Sequence, residues 1–305
     1  MSEELEFGIS LRLLHDAKDE ARGAEALGYD YLLTGEHIAF HGPTANNMVS
    51  LAAAAGATER IKLLSGIVLV PLYAPALLAK QIAVLDVVSD GRFHFGIGVG
   101  GEYAPEFEAV GVPVNERGAR TNEALEVIDK LLTEEDVHFE GRFTTLNGVT
   151  IQPHPIQKPR MPFWVAGRRD AAMKRAARYA EGWMPYMYTP SMLAESMEKI
   201  AGFTAEAGRP AGTVRGGLFI FTCVHTDRAT ALELANEQLS KQYNQDFSEL
   251  VEKYTLSGTP EDCIARAQEY IDAGARSIFF AQGCPSDYVA ENTRLIAEAV
   301  IPALR

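Results

Sequence analysis

The chain has 305 residues, of which 47% are hydrophobic and 23% charged, and its 28 basic against 41 acidic side chains give a formal charge of −13. This apolar content excludes a disordered or fibrous chain, and no run of about 18 apolar residues suggests a transmembrane helix. The acidic balance argues against nucleic acid or an anionic membrane surface as a partner. Because the chain starts with Met-Ser-Glu-Glu-Leu-Glu, no secretory signal is predicted and a cytoplasmic protein is expected.

Short apolar segments alternate with amphipathic helical segments from one end of the chain to the other. The predicted strands are residues 5–10, 29–34, 61–70, 93–99, 163–166, 182–185, 218–224 and 277–281. The predicted helices are residues 15–27, 46–57, 75–88, 170–180, 191–207, 229–243, 260–273 and 287–300. Several of these strands are apolar on both faces, which is typical of parallel sheets covered by helices.

Eight strand candidates, each followed by a helix or a long insertion, predict a single (β/α)8 TIM-barrel domain over residues 1–305. Residues 25–33 and 272–280 have a similar pattern, in which the end of a helix is followed by a glycine and then by an apolar strand. This internal similarity supports a repeated unit. A doubly wound open sheet is the alternative. Insertions are predicted after strand 4 and at a strand 7-type position. They include the Gly- and Pro-rich residues 101–113 and a hairpin within residues 137–159.

The glycines in and just after the fourth predicted strand, Gly96-x-Gly98-x-x-Gly101, match the spacing of the dinucleotide fingerprint. That fingerprint also needs a helix opening at the third glycine and an acidic residue at the end of the next strand. Here Glu102-Tyr-Ala-Pro follows, so a dinucleotide site is disfavoured. A glycine-lined strand end still lets a flat or bulky group approach the backbone closely.

Glu36 and His37 end the second predicted strand, where a barrel places catalytic groups. A histidine there can move protons near neutral pH, and the adjacent glutamate can orient it; the alternative is an ordinary surface pair. His37 and His41 have helical metal-ligand spacing, but Gly42-Pro43 opposes a helix, so no metal is predicted. Three widely spaced cysteines predict buried thiols and neither a disulfide framework nor a metal knuckle.

The segment Ala166-Gly167-Arg168-Arg169-Asp170 joins a predicted strand to a predicted helix. Backbone amides at a helix start, beside two arginines, form a natural phosphate cradle. The alternative is a pair of solvated arginines in a first helical turn.

Six stretches, residues 26–37, 58–68, 85–100, 157–167, 176–183 and 257–262, together resemble the bacterial luciferase-like monooxygenase superfamily. Within it, they are similar to the coenzyme F-420 (deazaflavin)-dependent oxidoreductases. The most specific are a Ser-Asp-Gly-Arg turn at residues 89–92 and Ala-Ala-Arg-Tyr-Ala-Glu-Gly-Trp at residues 176–183.

The resemblance implies a (β/α)8 barrel, a homodimer, and a flavin-type ring at the carboxyl ends of the strands. It implies His37, Glu36 and Glu102 as catalytic residues. The cofactor-binding residues that it implies are Glu36, Gly66, Ile67, Gly98, Gly100, Gly101, Ala166, Gly167, Arg168 and Arg169.

The resemblance favours hydride transfer between coenzyme F-420 and a small organic substrate. FMN is the alternative cofactor, in a two-component monooxygenase that needs a separate flavin reductase. A non-catalytic flavin- or deazaflavin-binding protein is a third possibility.

The resemblance also bears on the substrate and on the backbone. Phe40 and His41 stand where sugar-phosphate oxidisers of this superfamily carry a tryptophan, which disfavours a sugar phosphate. Residues 183–188, rich in aromatic and Met side chains, are interpreted as an apolar pocket or, equally, as packing of the barrel rim or a dimer interface. The deazaflavin enzymes have a cis peptide at a bulge in the third strand, which predicts one between Gly66 and Ile67.

Overall fold

The structure is a computed structural model that describes residues 4–305, and its elements follow the predicted alternation of strand and helix. The strands are β1 (Glu6–Ser10), β2 (Tyr31–Thr34), β3 (Lys62–Ser65), β4 (Val68–Leu69), β5 (Phe93–Gly98), β6 (Val137–Glu140), β7 (Thr145–Val149), β8 (Phe163–Ala166), β9 (Gly182–Met184), β10 (Arg215–Val224), β11 (Thr255–Gly258) and β12 (Ser277–Gln282). The helices are α1 (Ala17–Ala26), α2 (Asn47–Ala55), α3 (Pro75–Val88), α4 (Ala104–Ala109), α5 (Arg117–Thr133), α6 (Asp170–Tyr179), α7 (Pro190–Glu206), α8 (Arg228–Tyr243), α9 (Val251–Tyr254), α10 (Pro260–Asp272), α11 (Val289–Leu295) and α12 (Ile301–Leu304).

The order of strand pairing confirms the predicted α/β TIM-barrel fold. The strands follow one another as β1, β2, β3, β5, β8 and β9; β9 pairs with β10, β10 with β12, and β12 with β1. Strand β4 continues β3 along β5. The alternative of an open doubly wound sheet is therefore wrong.

Two insertions interrupt the alternation of barrel strands and helices. Each follows a strand after which an insertion was predicted. The first follows β5 and contains the antiparallel hairpin β6–β7. The second follows β10 and contains α8, α9 and β11, which pairs with the end of β10 from Phe221 to Val224.

The described residues cluster into two compact units. The first comprises residues 4–11, 23–33 and 166–305, and the second comprises residues 12–22 and 34–165. In the first, the rings of Phe7 and Phe280 stack with centroids 6.1 Å apart. In the second, Phe95 and Phe163 pack edge to face at 5.2 Å. The single domain over residues 1–305 stays a prediction.

The predicted third strand is divided by a bulge at residues 65–67. Leu64 pairs with His94, and Val68 pairs with Ile97, so three residues of the third strand face two of β5. A bulge of this kind bends the strand locally. The peptide between Gly66 and Ile67 is cis, which confirms the prediction.

Two glycines of β5 make room for this bulge. A Cβ on Gly96 would stand 1.8 Å from the carbonyl oxygen of Ser65, and one on Gly98 would stand 2.0 Å from Cδ1 of Ile67. Ser65 also accepts a hydrogen bond at its Oγ from the Gly96 amide at 2.7 Å. The glycine spacing of β5 therefore follows from the approach of its neighbouring strand.

Several elements differ from the sequence-based expectation, among them the following three. Residues 101–113 contain helix α4, whose Pro105 occupies the first helical turn, where proline is well tolerated. Strand β11 was not predicted. The predicted helix over residues 287–300 divides into α11 and a π-helical turn, Ile296–Val300, before α12.

We expect Gly96→Ala to lower the free energy of unfolding by at least about 3 kcal/mol, at the upper end of overpacking costs, because the new methyl group meets backbone. Gly23→Ala in α1 is the matched control, since a Cβ there has no atom within 4 Å. It should stabilise the protein by about 0.5–1 kcal/mol. Urea unfolding of both variants measures the difference, and equal stabilities would contradict this account of β5.

Candidate active site

The carboxylate of Glu36 is buried just beyond the end of β2, with 5% of the residue exposed. Its Oε2 accepts hydrogen bonds from the Tyr73 hydroxyl at 2.9 Å and the Asn47 amide at 3.3 Å. Its Oε1 accepts one from the Leu69 amide at 3.4 Å. Burial raises the pKa of Glu36, while these three donors and the neighbouring His37 oppose the rise. Glu36 thus joins the segment after β2 to α2, β4 and the loop before α3.

His37 lies next to Glu36 but contacts a different carboxylate, that of Glu106 in α4. The imidazole Nδ1 is 3.3 Å from Oε1 and 3.2 Å from Oε2 of Glu106, and the Ile38 amide donates to Oε2 at 3.2 Å. Glu106 is fully buried, whereas 23% of the His37 side chain is exposed. An imidazole bonded to a buried carboxylate on one side can exchange a proton on the other.

Aromatic side chains surround the His37 ring. Phe40 stacks on it with centroids 4.3 Å apart and planes 16° from parallel. His41 and Tyr103 each pack against Phe40, at 4.7 and 6.0 Å. The second ring nitrogen of His37, Nε2, has no hydrogen-bond partner among residues 4–305. Nε2 is therefore the nitrogen atom of His37 that can form a hydrogen bond with a substrate.

The bulge of the third strand carries an unsatisfied polar group beside it. Asn47 donates from Nδ2 to the carbonyl of Ile67 at 2.9 Å, and the whole residue is buried. Its Oδ1 is buried without a hydrogen-bond partner among the described residues. A buried acceptor of this kind costs free energy unless a donor reaches it.

The predicted site residues that follow β5 are Gly100, Gly101 and Glu102, of which the two glycines lie close to other side chains and the glutamate is exposed. A Cβ on Gly100 would meet Leu69 and Phe107 at 3.1–3.3 Å, and one on Gly101 would meet the Arg117 side chain at 2.7 Å. Gly101 also has a φ of 106°, which favours glycine. Glu102 is exposed. The carboxylate that is bonded to His37 in this structure is that of Glu106.

In the other compact unit, Ala166–Arg169 connects β8 to α6 as predicted. Helix α6 begins after Arg169 without a hydrogen bond from its first amides to a capping side chain. Arg168 and Arg169 are exposed, and neither has an ion-pair partner among residues 4–305. The guanidinium group of Arg168 lies over the ring of Tyr186, 5.0 Å from its centroid. An uncapped helix start beside two exposed guanidinium groups is suited to bind an anion.

Two aromatic residues that follow α6 donate hydrogen bonds to backbone carbonyls of this loop. Trp183 is fully buried and donates from Nε1 to the carbonyl of Gly167 at 2.9 Å. Tyr188 donates to the carbonyl of Arg168 at 3.3 Å. Trp183, Met184 and Tyr188 are all buried within the chain, so these three side chains do not line an open surface pocket in this structure.

The cysteines agree with the sequence-based expectation. Cys223, Cys263 and Cys284 are free and buried, as predicted. Within residues 4–305, no group of three or more His, Cys, Asp or Glu side chains could hold a metal ion. No helix in that part of the chain is long and apolar enough to cross a membrane.

Three residues of this site were missed from the sequence: Tyr73, Asn47 and Glu106. Glu106 lies in the Gly- and Pro-rich insertion of residues 101–113, for which no helix was predicted. A signal was present, because Ala-Pro-Glu-Phe is a typical first turn with proline at its start and an acidic residue. Tyr73 and Asn47 lie 37 and 11 residues from Glu36 in sequence, and only the folded chain brings them together.

Comparison with known proteins gives one family and three close likenesses. The profile of the family described as luciferase-like monooxygenase matches residues 8–277. An F420-dependent glucose-6-phosphate dehydrogenase from Microbacterium testaceum is 27% identical over 92% of this chain and 91% of its own. A monooxygenase from Streptomyces bottropensis has a similar structure, with a TM-score of 0.88 and 26% identity over 99% of this chain and 100% of its own. An F420-dependent secondary alcohol dehydrogenase, solved with an F420–acetone adduct, shares the fold at a TM-score of 0.86 and 23% identity, over 99% of both chains.

Removal of the Tyr73 hydroxyl should destabilise the protein more at pH 8 than at pH 4.5. Burial raises the folded-state pKa of Glu36 above its ordinary value of 4.5, so this carboxyl favours folding at low pH, and that contribution is lost as pH rises through the folded-state pKa. Tyr73→Phe removes a donor that lowers the folded-state pKa of Glu36. The stability that is lost as pH rises therefore becomes larger in the variant. The cost should grow from about 1 kcal/mol for a neutral hydrogen bond to about 2 kcal/mol for a charged one.

Urea unfolding across this pH range measures the effect. Tyr103→Phe is the control, because the Tyr103 hydroxyl has no hydrogen-bond partner among residues 4–305. A pH-independent cost of Tyr73→Phe would show that Glu36 does not change its protonation state in the folded protein over this range.

Proposed function

Because the chain belongs to the luciferase-like monooxygenase family and is an oxidoreductase of that family, we propose that it transfers a hydride between coenzyme F-420 and a small organic substrate. The observation that carries this proposal is the His37–Glu106 pair, which leaves Nε2 of His37 unbonded among aromatic side chains. The F420-dependent relative that matches nine-tenths of the chain supports the choice of cofactor.

Each compact unit, taken by itself, has polar groups that suit one part of a deazaflavin cofactor. The orphaned Oδ1 of Asn47 is suited to an N–H of a heterocyclic ring, and the adjacent bulge at Gly66 and Ile67 has its backbone fixed. Arg168 and Arg169, at the uncapped start of α6, are suited to a phosphate. We therefore assign ring contacts to Glu36, Asn47 and the bulge, and phosphate contacts to the two arginines.

Bound F-420 supplies a carbon that accepts or donates a hydride, and the protein supplies the proton transfer that accompanies it. When an alcohol is oxidised, its hydroxyl proton passes to Nε2 of His37. In the opposite direction, Nε2 returns this proton to the carbonyl oxygen. Phe40 and Tyr103 limit the access of water to the ring of His37. Glu36 stays buried and hydrogen-bonded, which keeps the neighbouring backbone in place.

An FMN-dependent monooxygenase is the second candidate function. The structural likeness to a monooxygenase from Streptomyces bottropensis favours it, and the groups assigned to a ring and a phosphate also suit FMN. This function would require a separate flavin reductase as partner. A homodimer and a cytoplasmic location accompany both candidates as expectations, and a non-catalytic binding protein is the third candidate.

Titration of the protein with F-420 and with FMN, followed by cofactor fluorescence, should give tighter binding of F-420. Arg168→Ala together with Arg169→Ala should weaken that binding by about 10²- to 10⁴-fold, because each charge-assisted hydrogen bond is worth about 1.5–3 kcal/mol. A deazaflavin fragment without phosphate should bind the variant and the wild type equally. Arg178→Ala, at the other end of α6, is the control and should leave both affinities unchanged.

Two results would count against these assignments. Micromolar affinity for FMN without affinity for F-420 would replace the first function by the second, and oxygen uptake with reduced FMN would then test it. An equal loss for the fragment and for the whole cofactor would show that the phosphate contacts lie elsewhere.

His37→Gln should reduce turnover with F-420 by at least about 10²-fold while leaving its dissociation constant within a factor of about two, since a positioned acid–base group contributes about 10²–10⁴ in rate. Secondary alcohols and their ketones form the substrate panel, and His138→Gln on the β6–β7 hairpin is the control. Cofactor binding without turnover by the wild type across the panel, unchanged by His37→Gln, would favour the non-catalytic protein.

A further inference from the structure

We infer that Glu106 is the positioning residue of this site: its carboxylate holds the proton of His37 on Nδ1, so that Nε2 is the atom that exchanges a proton with the substrate. This inference rests on the proposed function for its consequence in catalysis. The tautomer itself is a property of the chain without any cofactor.

The hydrogen-bond geometry at Nδ1 defines which nitrogen carries the proton. Both oxygens of Glu106 lie within 3.3 Å of Nδ1, and the Ile38 amide donates to one of them. An ionised carboxylate only accepts hydrogen bonds. Nδ1 must therefore be the protonated nitrogen of the neutral imidazole, and Nε2 carries the lone pair.

The burial of Glu106 makes this interaction strong. None of its side chain is exposed, whereas Glu102 and Glu108, on either side of it in sequence, are exposed. Burying a carboxylate costs free energy unless hydrogen-bond partners compensate for the lost water. The partners of the Glu106 carboxylate are the Ile38 amide and the His37 ring. When His37 accepts a proton at Nε2, the imidazolium that forms has the Glu106 carboxyl group at its Nδ1 edge.

The surrounding packing keeps both partners in this arrangement. Phe107, the residue after Glu106, is fully buried and anchors α4. On the other side, Phe40 stacks flat on the imidazole and restricts its rotation. The ring is thus held at one edge by Glu106 and over one face by Phe40, and its Nε2 edge has no hydrogen-bond partner among residues 4–305.

The tautomer can be read directly by nitrogen NMR of protein labelled with ¹⁵N-histidine, with His37→Gln identifying the signal of His37. In the wild type at a pH where His37 is neutral, we expect one protonated Nδ1 and one unprotonated Nε2. Glu106→Gln should give a mixture of both tautomers, because the amide can donate as well as accept. Glu108→Gln, on the same helix and exposed, should match the wild type.

A proton on Nε2 in the wild type, or an unchanged spectrum in Glu106→Gln, would overturn the inference. These readings need no cofactor and no substrate, so they hold whether or not the proposed function is correct. Circular dichroism of each variant verifies that the fold is retained. If Glu106→Gln does not fold, the spectrum of the wild type alone decides the tautomer.

The catalytic consequence is measured separately, in steady-state turnover with F-420. Glu106→Gln should reduce kcat by about 10- to 100-fold with KM and the cofactor dissociation constant little changed, a part of what a positioned acid–base group contributes. Glu108→Gln should leave all three constants unchanged. A rise in KM with unchanged kcat would overturn the positioning role, while a lack of turnover in the wild type would count against the proposed function alone.

Discussion

The hydrogen bonds to the buried carboxylate of Glu36 organise the rest of the candidate site. Donors from the start of α2, from β4 and from the Tyr73 hydroxyl meet on its two oxygens. The cost of burying the carboxyl is offset only while all three donors are present, so these segments are fixed relative to each other. His37 is the next residue, and its backbone position follows from that of Glu36.

Two buried carboxylates in one small region perform different tasks because their partners differ. Glu36 is surrounded by donors that belong to the scaffold, and it holds segments together. Glu106 has one scaffold donor, the Ile38 amide, and one partner that can change its charge, the imidazole of His37. The first arrangement is suited to rigidity, and the second is suited to move a proton at the far side of the ring.

The bulge in the third strand shows how a backbone irregularity and a glycine pattern depend on each other. The extra residue between Leu64 and Val68 pushes the carbonyl of Ser65 and the side chain of Ile67 against β5. A Cβ at position 96 of β5 would meet the backbone of Ser65 and one at position 98 would meet the side chain of Ile67, which accounts for a glycine spacing that imitates a dinucleotide fingerprint. A similar glycine spacing can therefore reflect strand packing as readily as contact with a phosphate.

The sequence by itself determined the TIM-barrel fold, most element boundaries, the Glu36–His37 pair at the end of β2 and the arginines before α6. These features depend on local periodicity, on helix-ending and turn residues, and on the rule that active groups follow barrel strands. Only the tertiary structure decided which carboxylate meets His37, which donors surround Glu36, and why β5 needs its glycines. Those contacts join residues between 11 and 69 positions apart, and no periodic pattern records them, because they depend on how the segments pack once folded.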